Sequence, residues 1–297
     1  MRERVDITDA GALMPKYRYR VETVKAGDVA AVSIYPIWDN GVKIEPAEKK
    51  NRTSEAQKRE NAKRAERRFF ELVNTNFSSG DIFATFTHLG ELPSPEEARE
   101  HVRRAISRIK YHYMSEGMRE EDFKYIYVCE FREETDEKRG RKKTRLHHHV
   151  FFKGLGKALS SKKQKKGLFT DRDLIESLWK HGSVETRYLK SGVYGPGLKN
   201  ISDYLMKDPH GKKRWGRSRN LQEPKITYSD SRVTPRKAFK MATDYEYLVS
   251  QLEKWNPGRK VRLVDDVTFN SMNGAAYIYA ILEREEKDDG KKLCKRE

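Results

Sequence analysis

The segment Leu146-His147-His148-His149-Val150-Phe151-Phe152 constrains this chain more than any other. Its β-branched and aromatic residues around a histidine cluster predict a β-strand. Successive side chains of a strand point to opposite faces. Leu146, His148, Val150 and Phe152 therefore share one face, and His147, His149 and Phe151 share the other. Two imidazoles two residues apart on one face are spaced to hold one divalent metal ion. Neutral imidazole suits several first-row metals, and a nearby carboxylate completes a two-His-one-carboxylate site with open positions. The competing reading is a chance run of histidines on a half-exposed strand. Three of the chain's eight histidines in one strand-like segment weigh against it. The internal position weighs against a purification tag.

The segments on either side are also legible. Ile82 to His88 is rich in β-branched and aromatic residues, which predicts a buried central strand. Ser94, Pro95 and Glu97 predict a helix start, with Ser94 as N-cap, Pro95 at the first helical position and Glu97 closing a capping box. Ala98, Val102, Ala105, Ile106, Ile109 and Tyr113 then fall on one face, and Gly117 ends the helix. Phe123 to Glu130 predicts a second strand ending in a carboxylate. Glu133 to Thr144 reads as a polar loop into the histidine strand, so the two strands read as an antiparallel hairpin. Glu130 then stands near the loop end, within reach of His147 and His149 across the ladder. It is the candidate third ligand; an exposed strand-end glutamate is the other reading. Glu133 and Glu134 lie nearer the loop and are less well fixed.

Leu198 to Asp208 predicts a short helix anchored by Ile201 and Leu205. Tyr204 and Lys207, three residues apart, are neighbours on one helical face. A tyrosine acts as a nucleophile when its hydroxyl is aimed at an electrophile and loses its proton. Its ordinary pKa is about 10, so the phenol must be activated or the phosphorus polarised. A metal ion on a non-bridging phosphate oxygen supplies that polarisation. Lys207 is placed to stabilise charge on a phosphate or to orient the metal site. Taken alone, Tyr204 reads as a core residue, since the chain holds 15 tyrosines.

The rest of the chain, of 297 residues, suits one large domain or two small ones. Residues 1–47 read as a polar lead-in and a hairpin, with Val29 to Tyr35 as a strand and Asp39-Asn40-Gly41 as a turn signal. Residues 48–74 read as a charged helix with basic residues on most faces, a solvated surface helix rather than a dedicated DNA contact. Ser160 to Gly167 is a basic loop suited to phosphates. Thr170 caps a helix with Leu174, Ile175, Leu178 and Trp179 inward and Gly182 at its end. Ser183 to Leu189 is the next strand. Thr234-Pro235 opens a helical stretch whose apolar face is Tyr245, Leu248, Val249 and Leu252, stopped by Asn256-Pro257-Gly258. Lys260 to Val264 and Ala276 to Leu282 are strands with an Asn273-Gly274 turn signal between them. The last dozen residues are charged and expected to be disordered. The expected segments are an N-terminal hairpin and basic helix over 1–75, a central domain over 76–222, and a C-terminal helix-hairpin extension over 223–297. That extension has three readings: it completes the main sheet, shields it, or binds DNA or a partner.

Charge and absences narrow the chemistry. The net charge of +17, from 62 Lys and Arg against 45 Asp and Glu, favours polyanions, most often nucleic acid. Ribosome association or plain solubility would give a similar figure. Cys129 and Cys294 make no disulfide framework and fit a reducing cytoplasm. Two cysteines also exclude a multi-cysteine zinc module. No apolar run approaches a membrane span, and the N-terminus has no signal-peptide core. No Gly-x-x-x-x-Gly-Lys-[Ser/Thr] loop is present, so the chain carries no helicase motor of its own.

Taken in order, these motifs resemble those of the HUH endonucleases, and within them the rolling-circle replication initiator (Rep) proteins with a single catalytic tyrosine. Phe83-Ala84-Thr85-Phe86-Thr87 is similar to the first family motif, a structural strand. Leu146 to Phe152 resembles the second, the metal motif, and Tyr204 to Lys207 resembles the third. Lys212 to Leu221 is similar to a stretch that follows the tyrosine helix in Reps of bacterial phages, plasmids and integrated elements. The likeness covers roughly residues 76–222. One position departs from it: the middle residue of the metal motif is usually bulky and apolar, and here it is His148.

The resemblance implies an α+β fold, a central antiparallel sheet flanked by helices of the HUH and RRM-like kind, with N- and C-terminal extensions. It implies that Tyr204 attacks a phosphodiester of single-stranded DNA, leaving a 5′-phosphotyrosine adduct and a free 3′-OH, and later reseals ends without ATP. It further implies that Glu130, His147 and His149 hold Mg²⁺ or Mn²⁺, with Lys207 as the catalytic partner of Tyr204. The implied partners are single-stranded DNA or an origin hairpin, and a host helicase for unwinding, in the cytoplasm of a bacterial host and away from any membrane. A relaxase or single-tyrosine transposase would share this chemistry. Relaxases usually place the tyrosine ahead of the histidines, and such transposases are usually much shorter. A non-enzymatic nucleic-acid-binding protein with an RRM-like sheet is the third reading.

Overall fold

The computed structural model describes residues 17–38, 55–136, 141–156, 170–193, 195–206, 215–270 and 274–285. In chain order the elements are β1 (Tyr17–Ala26), β2 (Val29–Trp38), α1 (Glu55–Asn76), β3 (Ile82–His88), α2 (Pro95–Ser115), a 3₁₀ turn (Glu120–Asp122), β4 (Tyr125–Asp136), β5 (Arg141–Phe152), α3 (Asp171–Leu178), β6 (Gly182–Tyr188), α4 (Lys199–Met206), β7 (Trp215–Arg217), β8 (Lys225–Ser229), α5 (Pro235–Thr243), α6 (Tyr245–Trp255), β9 (Arg259–Phe269) and β10 (Ala276–Arg284). The fold is α+β, with two antiparallel five-stranded sheets and six α-helices among the described residues. The chain divides into two compact units, one from residues 26–28 and 60–224, the other from 1–25, 29–59 and 225–297.

The unit that carries the histidine strand holds the sheet β6-β3-β5-β4-β7. Strand alternation assigns its two faces to two cores. On one face Ile82, Ala84, Phe86, Val150 and Phe152 pack with Val102, Ile106 and Ile109 of α2 and with Leu174 and Ile175 of α3. On the other, Phe83, Ile126, Val128 and Phe151 pack with Phe69, Leu72 and Val73 of α1 and with Leu205 and Met206 of α4. Each such large side chain contributes about 1.5–3 kcal/mol when fully buried. This explains why β3 and β5, inside the sheet and covered on both faces, are apolar along most of their length.

Local chemistry starts the helices where the sequence signals lie. The Ser94 hydroxyl accepts from the Glu97 amide at 3.3 Å, and the Glu97 carboxylate accepts from the Ser94 amide at 2.9 Å. All six apolar-face residues expected of α2 are buried. Thr170 caps α3 through a second reciprocal box, with Asp173. That helix ends at Leu178, earlier than the Gly182 expected. Gly182 instead opens β6, where a Cβ would collide with the Thr87 carbonyl; the glycine serves close strand approach rather than helix termination.

The polar stretch expected as a loop between β4 and β5 is mostly ladder. Backbone pairing continues through Glu134↔Lys143 to Asp136↔Arg141. These are pairs of opposite charge, which a cross-strand position favours. The stretch from Lys212 onward contributes β7, an edge strand paired to β4 at Ile126, Tyr127 and Val128.

The second unit holds the sheet β8-β1-β2-β10-β9. Tyr19, Val21, Val32, Ile34, Ile278 and Leu282 form its core with Ala238, Met241, Leu248 and Leu252 of α5 and α6. The C-terminal strands thus join a sheet of their own with the N-terminal hairpin and add nothing to the histidine sheet. The turn of that hairpin is Gly27-Asp28, with Gly27 at φ 58°. The single helical stretch expected after Thr234 is two helices. The Asp244 side chain accepts from the Tyr247 amide at 2.9 Å and starts α6 afresh. Tyr245 falls in the first turn after that break and is exposed rather than apolar-face. Residues 39–41, Ser160 to Gly167, Lys207, Asn273, Cys294 and the rest of the last dozen residues lie outside the described residues.

Candidate active site

Three adjacent strands bring five polar side chains to one end of one sheet face. The register sets His147 opposite both Thr87 of β3 and Glu130 of β4, and His149 opposite Thr85. Thr85 Oγ1 lies 3.1 Å from His149 Nδ1, and Thr87 Oγ1 lies 3.0 Å from His147 Nδ1. His149 Nε2 lies 2.9 Å from Glu130 Oε2. The two imidazole rings are nearly parallel, with centroids 6.2 Å apart. The same face turns apolar at Phe83, Ile126 and Phe151, under the helices. The sheet therefore fixes the polar end from a rigid, packed end of the same strands.

Tyr204 comes to this face from α4. Leu205 and Met206 are buried, and the Leu198 amide donates to the Asn74 side chain at 2.9 Å just before the helix. Ile201 is partly buried against the same core. With that side anchored, Tyr204 is 51% exposed. Its ring lies edge-on to His149, centroids 5.7 Å apart. Lys207, its expected neighbour, falls outside the described residues. On the other flank, Phe83 stacks on His149 with centroids 5.6 Å apart. The Arg187 guanidinium sits 4.8 Å over the Phe83 ring and forms no ion pair among the described residues.

The donor types fit a divalent cation: two imidazoles and one carboxylate, from a rigid sheet. Both Nδ1 atoms are turned to threonine hydroxyls, which leaves Nε2 as the ring nitrogen turned away from β3. Among the described residues, however, no group of three or more His, Cys, Asp or Glu side chains is so placed that it could hold a metal ion as it stands. Glu130 and His149 engage each other by a hydrogen bond instead, and cation binding would exchange that bond for two ligand bonds.

His148 belongs to a different environment. It is fully buried on the opposite face, with Nδ1 3.1 Å from Cys129 Sγ and Nε2 3.1 Å from His88 Nε2. His101 and His181 stack beside His88, 3.6 Å between their ring centroids, and Trp179 packs against both His88 and His148. Burial pushes the His148 pKa down to about 3 and the His88 pKa down to about 4, with repulsion from the neighbouring histidines adding to it. Burial pushes the Cys129 thiol up to about 11. His148 thus takes the apolar-face position as a neutral, hydrogen-bonded core residue.

Sequence reasoning named His147, His149, Glu130 and Tyr204, which the structure brings together. It passed over Thr85 and Thr87, treated only as strand residues, and Arg187. The missed signal is a matching spacing: Thr-x-Thr in one strand and His-x-His in the strand beside it.

Against known proteins, the family model for the ORF2 type of replication-associated protein matches residues 81–209. That span runs from the start of β3 through α4 and includes all of the side chains just described. The match supports a replication initiator. No curated protein and no solved structure matches the chain. No helix among the described residues is long and apolar enough to cross a membrane.

Proposed function

We propose that this protein is a replication initiator that nicks single-stranded DNA at an origin through Tyr204, in the manner of single-tyrosine HUH enzymes, and rejoins ends by the reverse step. The observation that carries the reading is an exposed phenol whose ring lies 5.7 Å from that of His149, on the face that also bears His147 and Glu130. The Tyr204 Oη–P bond forms as the P–O3′ bond breaks. The phenol loses its proton and the departing 3′ oxygen gains one, leaving a 5′-phosphotyrosine and a free 3′-OH. One phosphodiester replaces another, so resealing needs no ATP.

Glu130, His147 and His149 would hold Mg²⁺ or Mn²⁺, which when bound polarises a non-bridging phosphate oxygen. Arg187 offers a guanidinium to the DNA backbone beside the scissile step; such contacts position the strand without reading its sequence. Lys207 is assigned the stabilisation of charge on the phosphate. The excess of basic residues attracts the strand and makes its binding salt-dependent.

The test uses labelled single-stranded oligonucleotides tiled across the DNA flanking the gene, incubated with the protein and Mn²⁺. A chelator-sensitive, protease-sensitive covalent band mapped to Tyr204 is expected. Tyr204→Phe removes only the hydroxyl, so the band should vanish while DNA affinity stays close to wild type. A covalent adduct formed by Tyr204→Phe would sink the assignment.

A further inference from the structure

We infer that Thr85 and Thr87 are positioning residues for the two histidines, holding each imidazole by Nδ1 and allowing it to exchange tautomers without turning. The inference rests on the metal reading of His147, His149 and Glu130 above. Its basis is the pair of hydroxyl contacts, 3.1 Å to His149 and 3.0 Å to His147, made by residues directly opposite in the register.

A neutral imidazole carries one N–H and one lone pair. In the geometry described, His149 Nε2 lies 2.9 Å from the Glu130 carboxylate, which only accepts. A neutral His149 therefore carries its proton on Nε2 and presents a lone pair at Nδ1, to which the Thr85 hydroxyl donates. As a metal ligand, the same ring must offer the Nε2 lone pair. The Nε2 proton then leaves to solvent, and a solvent proton arrives on Nδ1, so ring charge is unchanged. Nδ1–H now donates, and the threonine oxygen must accept.

A hydroxyl does both by rotating its own proton. A backbone carbonyl or a carboxylate at the same place could only accept, and would lock one tautomer. Thr87 stands in the same relation to His147 Nδ1. The threonines are carried by β3, an inner strand packed on both faces, so they hold their oxygens in place while the proton pattern changes. β-Branching restricts χ1 and adds to that hold. Partners of this kind behind ligating histidines are worth about 10–100-fold in metal affinity.

The experiment measures Mn²⁺ binding calorimetrically to the full chain. Its four proteins are wild type, the Thr85→Val/Thr87→Val pair, the Thr85→Ser/Thr87→Ser pair and the His147→Ala/His149→Ala pair. Valine keeps the shape and strand preference and removes the hydroxyl. The valine pair is expected to weaken Mn²⁺ about 10–100-fold. The serine pair should recover most of the affinity, which a purely structural role for the threonine methyl groups would not allow. A valine pair that binds Mn²⁺ as wild type does overturns the inference while leaving the metal reading standing. A wild type that binds no Mn²⁺, or binds it independently of His147 and His149, sinks the metal reading and the inference with it. Should the valine pair not fold, ¹⁵N imidazole shifts of the wild type decide the matter. Mg²⁺ should move the His149 proton from Nε2 to Nδ1, and an unchanged tautomer on Mg²⁺ binding overturns the inference.

Discussion

His147 and His149 leave β5 toward Thr87, Thr85, Glu130 and Tyr204, whereas His148, between them, leaves toward Cys129, His88 and Trp179. The residue type is the same and the backbone is continuous, so the difference lies in what each face offers. On the first face the partners are hydroxyls and a carboxylate, able to orient a ring and to share it with a ligand. On the second, a full-depth core surrounds the ring, and burial holds His148 and His88 neutral well below the usual histidine range. One strand therefore carries a reactive-site candidate and a packing residue one position apart. Histidine count alone is a poor guide to metal stoichiometry here.

The largest expected effect separates the faces by chemistry. His147→Ala with His149→Ala should abolish Mn²⁺-dependent nicking in the oligonucleotide assay while the melting curve stays close to wild type. Retained metal-dependent nicking would place the chemistry elsewhere and erase the contrast. The next effect separates them by stability. His148→Ala empties a fully buried position and should cost about 2–4 kcal/mol in urea unfolding, as large-to-small core substitutions do. Mn²⁺ affinity should remain near wild type. A loss of metal binding as deep as that of the His147/His149 pair would mean that the two faces act as one site.

The smallest effect is a pH dependence on the buried face. The His88 pKa is lowered from 6.5 to about 4 by burial first, then by His101, His181 and His147. His148, the other ring against it, is depressed in the same direction. The unfolded chain takes up a proton on His88 near pH 6.5, and the folded chain only near pH 4. Stability is therefore whole above about pH 6.5 and falls as pH drops toward 4. Melting temperatures taken from about pH 7 to about pH 5 should show this decline, and His88→Gln should flatten it. A decline equally steep in His88→Gln would assign the pH dependence to other groups.

Much of the histidine-bearing unit was legible because its signals are local. Ser94 and Glu97 cap a helix through atoms three residues apart, and the apolar spacing from Ala98 to Tyr113 names the buried face of α2 without any knowledge of what covers it. Alternation in β5 separates His148 from His147 and His149 for the same reason. Errors arose where a local signal had two structural uses. Gly182 could end a helix or permit close strand approach, and Asp244 sits inside a stretch with helical spacing, where only its side-chain bond marks it as the cap of α6. The polar run between β4 and β5 lacked apolar alternation, although opposite charges across a ladder sustain pairing equally well.

The sequence by itself determined which residues could do chemistry and which face of its own element each occupies, because the 3.6 and 2.0 periods are properties of the backbone. Only the tertiary structure decided which elements become neighbours. Nothing in β2 or β10 identifies the other as its partner, yet Ile34 pairs with Ile278. Likewise, sheet order set Thr85 and Thr87 behind the imidazoles, and helix packing brought Tyr204 beside His149. Periodicity specifies a direction from the chain, whereas distances between remote residues follow from how whole faces close against one another.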